Sequence, residues 1–147
     1  MDLNEYLKVW SFAKDLESRG QVTAAFFWPP ELMVAEFQTH HAFAALSEDQ
    51  KEVLALILYR RFLPQFEIIS LVTHPDHRQK GIMAELLRQF LSRVTIGDEV
   101  LLEVHEKNLS ARNLYLKLGF KVVGERPRYY RDGAAAILMS WQSEKVT

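Results

Sequence analysis

Leu71-Val72-Thr73-His74-Pro75-Asp76-His77-Arg78-Gln79-Lys80-Gly81-Ile82-Met83-Ala84 changes from strand-like to helix-like pattern within fourteen residues. An apolar strand ends, a polar turn carrying Gly81 follows, and Ile82, Leu86, Leu87, Phe90, Leu91 and Val94 then recur at helical spacing on a helix expected to start near Gln79. The first amides of such a helix lack internal acceptors and lie at its positive end, which favours an anion, and Arg78 and Lys80 add formal charge beside them. Two readings stay open on the residues alone: a diphosphate-binding turn, or a solvated strand-to-helix connection. The spacing matches neither a Walker loop nor a dinucleotide fingerprint, because both need more glycines at other intervals.

Working outward, the runs Ala42 to Leu46, Val53 to Arg60 and Phe66 to Thr73 are apolar or β-prone, and polar or proline-bearing turns separate them, so an antiparallel meander is expected ahead of the decisive turn. Beyond it, Val100 to His105 reads as a strand. Ala111, Leu114, Tyr115 and Leu118 mark a shorter helix, with Asn108 available as its N-cap and Gly119 just past its end. Lys121 to Val123 and Ala135 to Trp141 read as closing strands. The unit from Phe66 to His105 has the length of a right-handed parallel crossover. At the other end, Leu3, Tyr6, Leu7, Trp10, Ala13 and Leu16 predict an amphipathic helix, Pro29-Pro30 an extended turn, and Glu31 to Thr39 a short second helix.

Composition bounds the function. The 147 residues suit one domain spanning 1–147, at about 150 residues per domain. With 48% apolar and 25% charged residues the chain matches ordinary globular usage. The absence of cysteine excludes disulfides, thiolate metal ligands and a cysteine nucleophile. The longest apolar run, Val53 to Tyr59, is far short of the roughly 20 residues of a membrane helix, and the start Met1 to Glu5 lacks the basic flank and apolar stretch of a secretory signal, so a cytoplasmic protein is expected. A net charge of −1 supplies no bulk drive toward nucleic acid. Residues 107–131 hold seven Lys or Arg against Glu125 alone, a solvated face or an attraction for phosphates. His74 and His77 flank Asp76, but no matched ligand set accompanies them, and no metal is expected.

Arg78-Gln79-Lys80-Gly81-Ile82-Met83, following Leu71-Val72-Thr73-His74-Pro75, resembles the acetyl-CoA diphosphate loop of the GNAT N-acetyltransferase superfamily. Asn108-Leu109-Ser110-Ala111-Arg112-Asn113-Leu114-Tyr115 with Leu118-Gly119-Phe120 resembles that family's Asn-x-x-Ala-x-x-Leu-Tyr helix and its ending. Arg128-Tyr129-Tyr130 with Asp132-Gly133, and the Trp28-Pro29 turn, look like the N-terminal acetyltransferases that modify ribosomal-protein alanine. The resemblance runs from about Phe26 to Trp141. It implies an α/β (α+β) fold: a mixed central sheet of six or seven strands, splayed at Leu71 to Thr73 and flanked by about four helices. Two departures stand out: Met83 occupies a position where the family usually has Gly or Ala, and Thr73 replaces a usual valine.

The resemblance also implies roles. The backbone of Leu71, Val72 and Thr73 bonds the pantetheine arm, and Arg78, Gln79, Lys80, Gly81, Ile82, Met83 and Ala84 hold the diphosphate, with Asn108 and Ala111 completing the acetyl-CoA site. Asn108 also suits a purely capping role. Tyr115 sits where the family has its general acid, and an ordinary tyrosine, with a pKa near 10, keeps its proton at neutral pH. On the residues alone Tyr115 reads as a member of the helix's apolar stripe with its hydroxyl satisfied elsewhere, and the motif is what points to the acid role. Glu103, on one strand face with Leu101 and His105, sits where the subfamily has its general base; on the residues alone it is as well a solvated strand carboxylate. Tyr129 and Tyr130 correspond to the residues that hold the acceptor, and adjacent side chains in an extended segment point to opposite faces, so at most one lines the site. Phe27 and Trp28 are expected on the opposite wall.

The expected activity is acetyl transfer from acetyl-CoA to a primary amine, the N-terminal α-amine of a protein in the leading reading, by a monomer or weak dimer without membrane or direct nucleic-acid partners. A small-molecule amine acetyltransferase is one alternative. A non-catalytic acyl-CoA-binding module, motivated by Met83, is another.

Overall fold

Six apolar runs separated by turn residues become six strands, and two runs of helical period become helices, in a computed structural model that describes residues 40–49 and 51–144. In chain order these are β1 (His40–Leu46), β2 (Val53–Phe62), β3 (Gln65–Thr73), a 3₁₀ turn (Pro75–His77), α1 (Ile82–Ser92), β4 (Glu99–His105), α2 (Leu109–Lys117), β5 (Lys121–Arg126) and β6 (Ala136–Gln142). The strands make one mixed sheet in the order β1-β2-β3-β4-β6-β5. The helix expected at Leu3 to Leu16, the Pro29-Pro30 turn, the Glu31 to Thr39 helix and the Phe27 and Trp28 wall lie outside the described residues. No helix among the described residues is long and apolar enough to cross a membrane.

The chain divides into two compact units, Met1–Arg61 with Ile69–Phe90, and Phe62–Ile68 with Leu91–Thr147. In the first, β1 runs antiparallel to β2, with His41 opposite Tyr59 and Phe43 opposite Ile57. Ala55, Leu56, Ile57 and Leu58 are buried in succession and not alternately, so both faces of β2 are covered, and its continuous apolar run reflects that. The stripe on α1 buries Leu86, Leu87 and Phe90, and the Phe90 ring meets those of Phe43 and Tyr59 edge-on at centroid distances of 5.9 and 4.9 Å.

The start of α1 corrects the sequence reading. The helix begins at Ile82 and not at Gln79, because Gln79 and Gly81 both hold left-handed backbone, with φ of 61° and 75°. Helical periodicity in the side chains cannot register such a twist in the main chain.

In the second unit β4 alternates strictly: Val100, Leu102 and Val104 are buried, while Glu99, Leu101, Glu103 and His105 share the more exposed face. It pairs parallel with β3 over Gln65–Ile68, opposite Glu99–Leu102, as the crossover reading requires, and antiparallel with β6 along its whole length. β5 pairs with β6 through a bulge between Val122 and Gly124. It is longer than expected, reaching Arg126, which places that arginine on the sheet.

Replacing a side chain with no solvent exposure leaves a cavity that a rigid core cannot close. Leu87→Ala is therefore expected to lower the unfolding free energy by about 2–5 kcal/mol, whereas Val123→Ala, at a position 60% exposed, shifts it by less than about 0.5 kcal/mol in the same urea titration. Equal losses would contradict this assignment of the core.

Candidate functional site

The turn between β3 and α1 lies within the first unit. The His74 N–H donates to the Leu54 carbonyl at 2.8 Å and so ties the end of β3 to β2. The His77 N–H donates to the His74 carbonyl, and the His74 ring accepts the Asp76 N–H at Nδ1, 3.2 Å away, which closes the 3₁₀ turn. Arg78 is extended, and its Nε donates to the Thr73 carbonyl at 3.3 Å, so the guanidinium folds back beside the strand end. The left-handed residues Gln79 and Gly81 then swing the chain into α1, whose first internal bond runs from the Glu85 N–H to the Gly81 carbonyl at 3.1 Å.

The amides of Gly81, Ile82, Met83 and Ala84 consequently precede any intrahelical acceptor. A side chain at Gly81 would meet nothing within 4 Å, so glycine is there for its positive φ. Glu85, the acid of this first turn, is engaged by Arg88 at 2.9 Å. Exposed Lys80 adds a second cation to the turn beside Arg78. This donor set fits a diphosphate such as that of coenzyme A. Among the described residues no three His, Asp or Glu side chains are grouped to hold a metal ion.

In the second unit, α2 is fixed at both ends by its own sequence. Asn108 accepts the Ala111 N–H at its side-chain oxygen, 3.2 Å away, as an N-cap. At the other end the Phe120 N–H donates to the Tyr115 carbonyl at 3.0 Å and the Gly119 N–H to the Leu116 carbonyl at 3.1 Å, with Gly119 at φ 100°. This is a Schellman closure, and it carries the usual apolar contact: the buried Phe120 ring lies 5.8 Å from that of Tyr115. Tyr115 is the one buried residue of α2, only 7% exposed, and its hydroxyl has no hydrogen-bond partner among the described residues. Burial pushes this phenol up to about 12, because the phenolate would lose its hydration.

A second cluster spreads from the exposed face of β4. Glu103, half-buried, is paired through Oε1 with the Arg126 Nε at 3.0 Å. The Arg126 guanidinium also lies over the Tyr129 ring, 5.6 Å from its centroid, and the Tyr129 and Tyr130 rings meet edge-on at 5.2 Å. Tyr130 stacks on His105 at 4.7 Å. Desolvation raises the Tyr130 phenol above its ordinary range, aided by the negative charges of Glu103 and Asp132. His105 accepts the Lys107 N–H at Nδ1, so its proton is on Nε2, which donates to Asp132 Oδ2 at 2.7 Å. The other Asp132 oxygen accepts the Ala134 N–H, and that bond, followed by the one from His105, lowers the Asp132 carboxyl below its usual range.

The structure thus brings Glu103, Tyr129 and Tyr130 into one set of contacts, with Tyr130 inside it and Tyr129 52% exposed at its edge. Leu71 to Thr73 and Arg78 to Ala84 form the turn of the first unit, and Asn108, Ala111 and Tyr115 lie on capped α2. Three members of the cluster escaped sequence reasoning as site residues: His105, Arg126 and Asp132. His105 was legible only as a face-mate of Glu103, and Arg126 only as one cation in a basic run.

The chain matches the family model described as Acetyltransferase (GNAT) family over residues 8–120. It is 40% identical over 76 residues to an N-alpha-acetyltransferase of Sulfurisphaera tokodaii, covering 50% of this chain and 46% of that protein. It is also 40% identical over 76 residues to the N-alpha-acetyltransferase RimI of Mycobacterium tuberculosis, covering 51% and 48%. The chain therefore spans about half the length of these curated relatives. Among solved structures, the ribosomal-protein-S18-alanine N-acetyltransferase from Escherichia coli superposes with a TM-score of 0.77 at 20% identity, covering 100% of this chain and 93% of that one, a likeness of fold. Because the family model spans residues 8–120, most of its length, this chain belongs to the GNAT acetyltransferase family.

Proposed function

We propose that the chain is a single catalytic domain that transfers acetyl from acetyl-CoA to a primary amine, and that the amine is the N-terminal α-amine of a protein, of the alanine-starting kind. The observation that carries the acceptor side is the contact set around Glu103: a half-buried carboxylate paired with Arg126, whose guanidinium lies over Tyr129, with Tyr130 against Tyr129 and stacked on His105. The relatives named N-alpha-acetyltransferase support the choice of a protein terminus over a small amine.

Acetyl-CoA supplies an activated acyl group on a thioester whose thiol departs. The amides of Gly81 to Ala84, with Lys80 and Arg78, hold its diphosphate, and the β3 backbone at Leu71 to Thr73 orients its arm. Glu103 is bound to Arg126 through Oε1 only; Oε2 has no partner among the described residues and is available to take a proton from the incoming ammonium. Tyr115 Oη delivers a proton to the departing sulfur. Its phenol, raised to about 12 by burial, carries this proton at neutral pH, as an ordinary tyrosine also does.

Alanine-starting peptides, polyamines and aminoglycosides offered with acetyl-CoA are expected to give an acetyl mass shift on the peptides. Shifts confined to the small amines would overturn the protein-terminus reading. Tyr115→Phe is expected to lower kcat by about 100-fold while acetyl-CoA affinity, read by calorimetry, stays within about twofold. Unchanged turnover would remove the acid role.

The pH dependence has a definite sign. Folding raises the Tyr115 phenol from 10.0 to about 12, so its contribution to stability is complete below pH 10 and is lost as pH rises through about 12. In thermal melts the wild type should lose stability over this interval more steeply than Tyr115→Phe. The wild-type kcat profile is expected to show no descending limb from Tyr115 below pH 10. A limb there that vanishes in Tyr115→Phe would contradict the assignment.

A further inference from the structure

Residues 127–135 join β5 to β6 and carry both tyrosines. Most of the segment's hydrogen bonds are internal: the Tyr129 and Tyr130 N–H groups donate to the Ala134 carbonyl at 3.0 and 3.1 Å, and the Gly133 N–H donates to the Tyr130 carbonyl at 3.0 Å. Arg128, immediately before the tyrosines, holds φ 52°, a left-handed conformation that a residue with a side chain adopts only when its surroundings impose it. Asp132 ties this largely self-bonded loop to the end of β4 by hydrogen bonds, beside the Tyr130 stack on His105, the Arg126 contact with Tyr129 and the Glu106 N–H donation to the Ala135 carbonyl at 3.0 Å. One Asp132 oxygen accepts the Ala134 N–H inside the loop at 2.9 Å, and the other accepts His105 Nε2–H from the end of β4 at 2.7 Å.

His105 is itself held rigidly. Its backbone is in register with Ala136 on β6, its carbonyl accepts the Asn108 N–H at 2.9 Å, and its Nδ1 accepts the Lys107 N–H at 3.1 Å. Both ring nitrogens are therefore committed, and neither has a lone pair free to take a substrate proton. The face of the ring carries the remaining contact, the stack on Tyr130. With both ring nitrogens hydrogen-bonded and one ring face stacked, His105 is suited to hold its neighbours in place.

We propose that His105 and Asp132 are positioning residues for the acceptor: their hydrogen bond, with the His105–Tyr130 stack, locks the tyrosine loop in the conformation that receives the acceptor chain, and so sets acceptor affinity without entering the acyl-transfer step. This rests on the reading of Tyr129 and Tyr130 as the acceptor wall. Asp132→Asn keeps the oxygen for the Ala134 N–H but turns an amide N–H toward His105 Nε2–H, which breaks the link. His105→Asn keeps an acceptor near Lys107 but is too short for Asp132. His105→Gln can still donate to Asp132 from close to the place of Nε2.

The test is steady-state kinetics with an alanine-starting peptide, paired with amide hydrogen exchange of residues 128–134 in the absence of substrates. In His105→Asn and Asp132→Asn, peptide KM is expected to rise about tenfold, with kcat and acetyl-CoA KM within about twofold; the double variant is no worse than either single, and His105→Gln returns to within about threefold of wild type. Exchange at the Tyr129 and Tyr130 amides is expected to accelerate about tenfold in the two broken variants and to stay protected in His105→Gln. Lowered kcat at unchanged peptide KM, additive losses, or unchanged exchange in both broken variants would overturn the proposal. Should His105→Asn not fold, Asp132→Asn against His105→Gln makes the same comparison. If wild type acetylates no peptide, the protein-terminus reading fails by itself, while the exchange measurement still decides whether this pair holds the loop.

Discussion

Burial of Val100, Leu102 and Val104 on one face of β4 is the constraint from which the arrangement around Glu103 follows. A strand has a side-chain period of two, so a slip of one residue would put the three apolar side chains on the exposed face and drive Glu99, Glu103 and His105 into the core. The cost of that exchange pins the register against β6. It simultaneously settles that a carboxylate and an imidazole, two residues apart, emerge on the same side. Ser140, buried on β6, donates to Glu99 Oε1 at 2.7 Å and so satisfies the one polar group at the start of that face.

The helix α2 solves a different problem, that of holding one phenol in an apolar setting. Its side-chain stripe is weak, and Leu109 and Leu116 are largely exposed, so packing alone would orient it poorly. Local bonds make up for this: an asparagine at one end and a glycine-closed turn at the other define where the helix starts and stops, and the closure brings Phe120 under Tyr115. The consequence is electrostatic as well as geometric. A ring packed in this way sheds its water, and the proton on its hydroxyl becomes hard to remove.

The polar cluster beyond β4 is built in the opposite manner, from groups at the surface that restrain one another. Arg126 neutralises one oxygen of Glu103 and caps the Tyr129 ring, while Asp132 and His105 fix the base of the loop that carries both tyrosines. Exposed ion pairs of this kind add little to stability, which leaves orientation as their physical effect.

What the amino-acid sequence determined by itself was everything governed by near neighbours along the chain: the strands by their apolar runs, the crossover by the length between Phe66 and His105, α2 by Asn108 and Gly119, and the family by two motifs in order. Glu103 and His105 could be placed on one face because alternation is local too. The start of α1 was misread because left-handed backbone at Gln79 leaves no trace in side-chain periodicity. The tertiary structure alone decided which tyrosine packs and which stays at the edge, and that Arg126, Asp132 and His105 join Glu103. These residues come from segments more than twenty positions apart, and only the pairing of β4, β6 and β5 brings them within hydrogen-bonding distance, where an interaction of a few ångströms range can act.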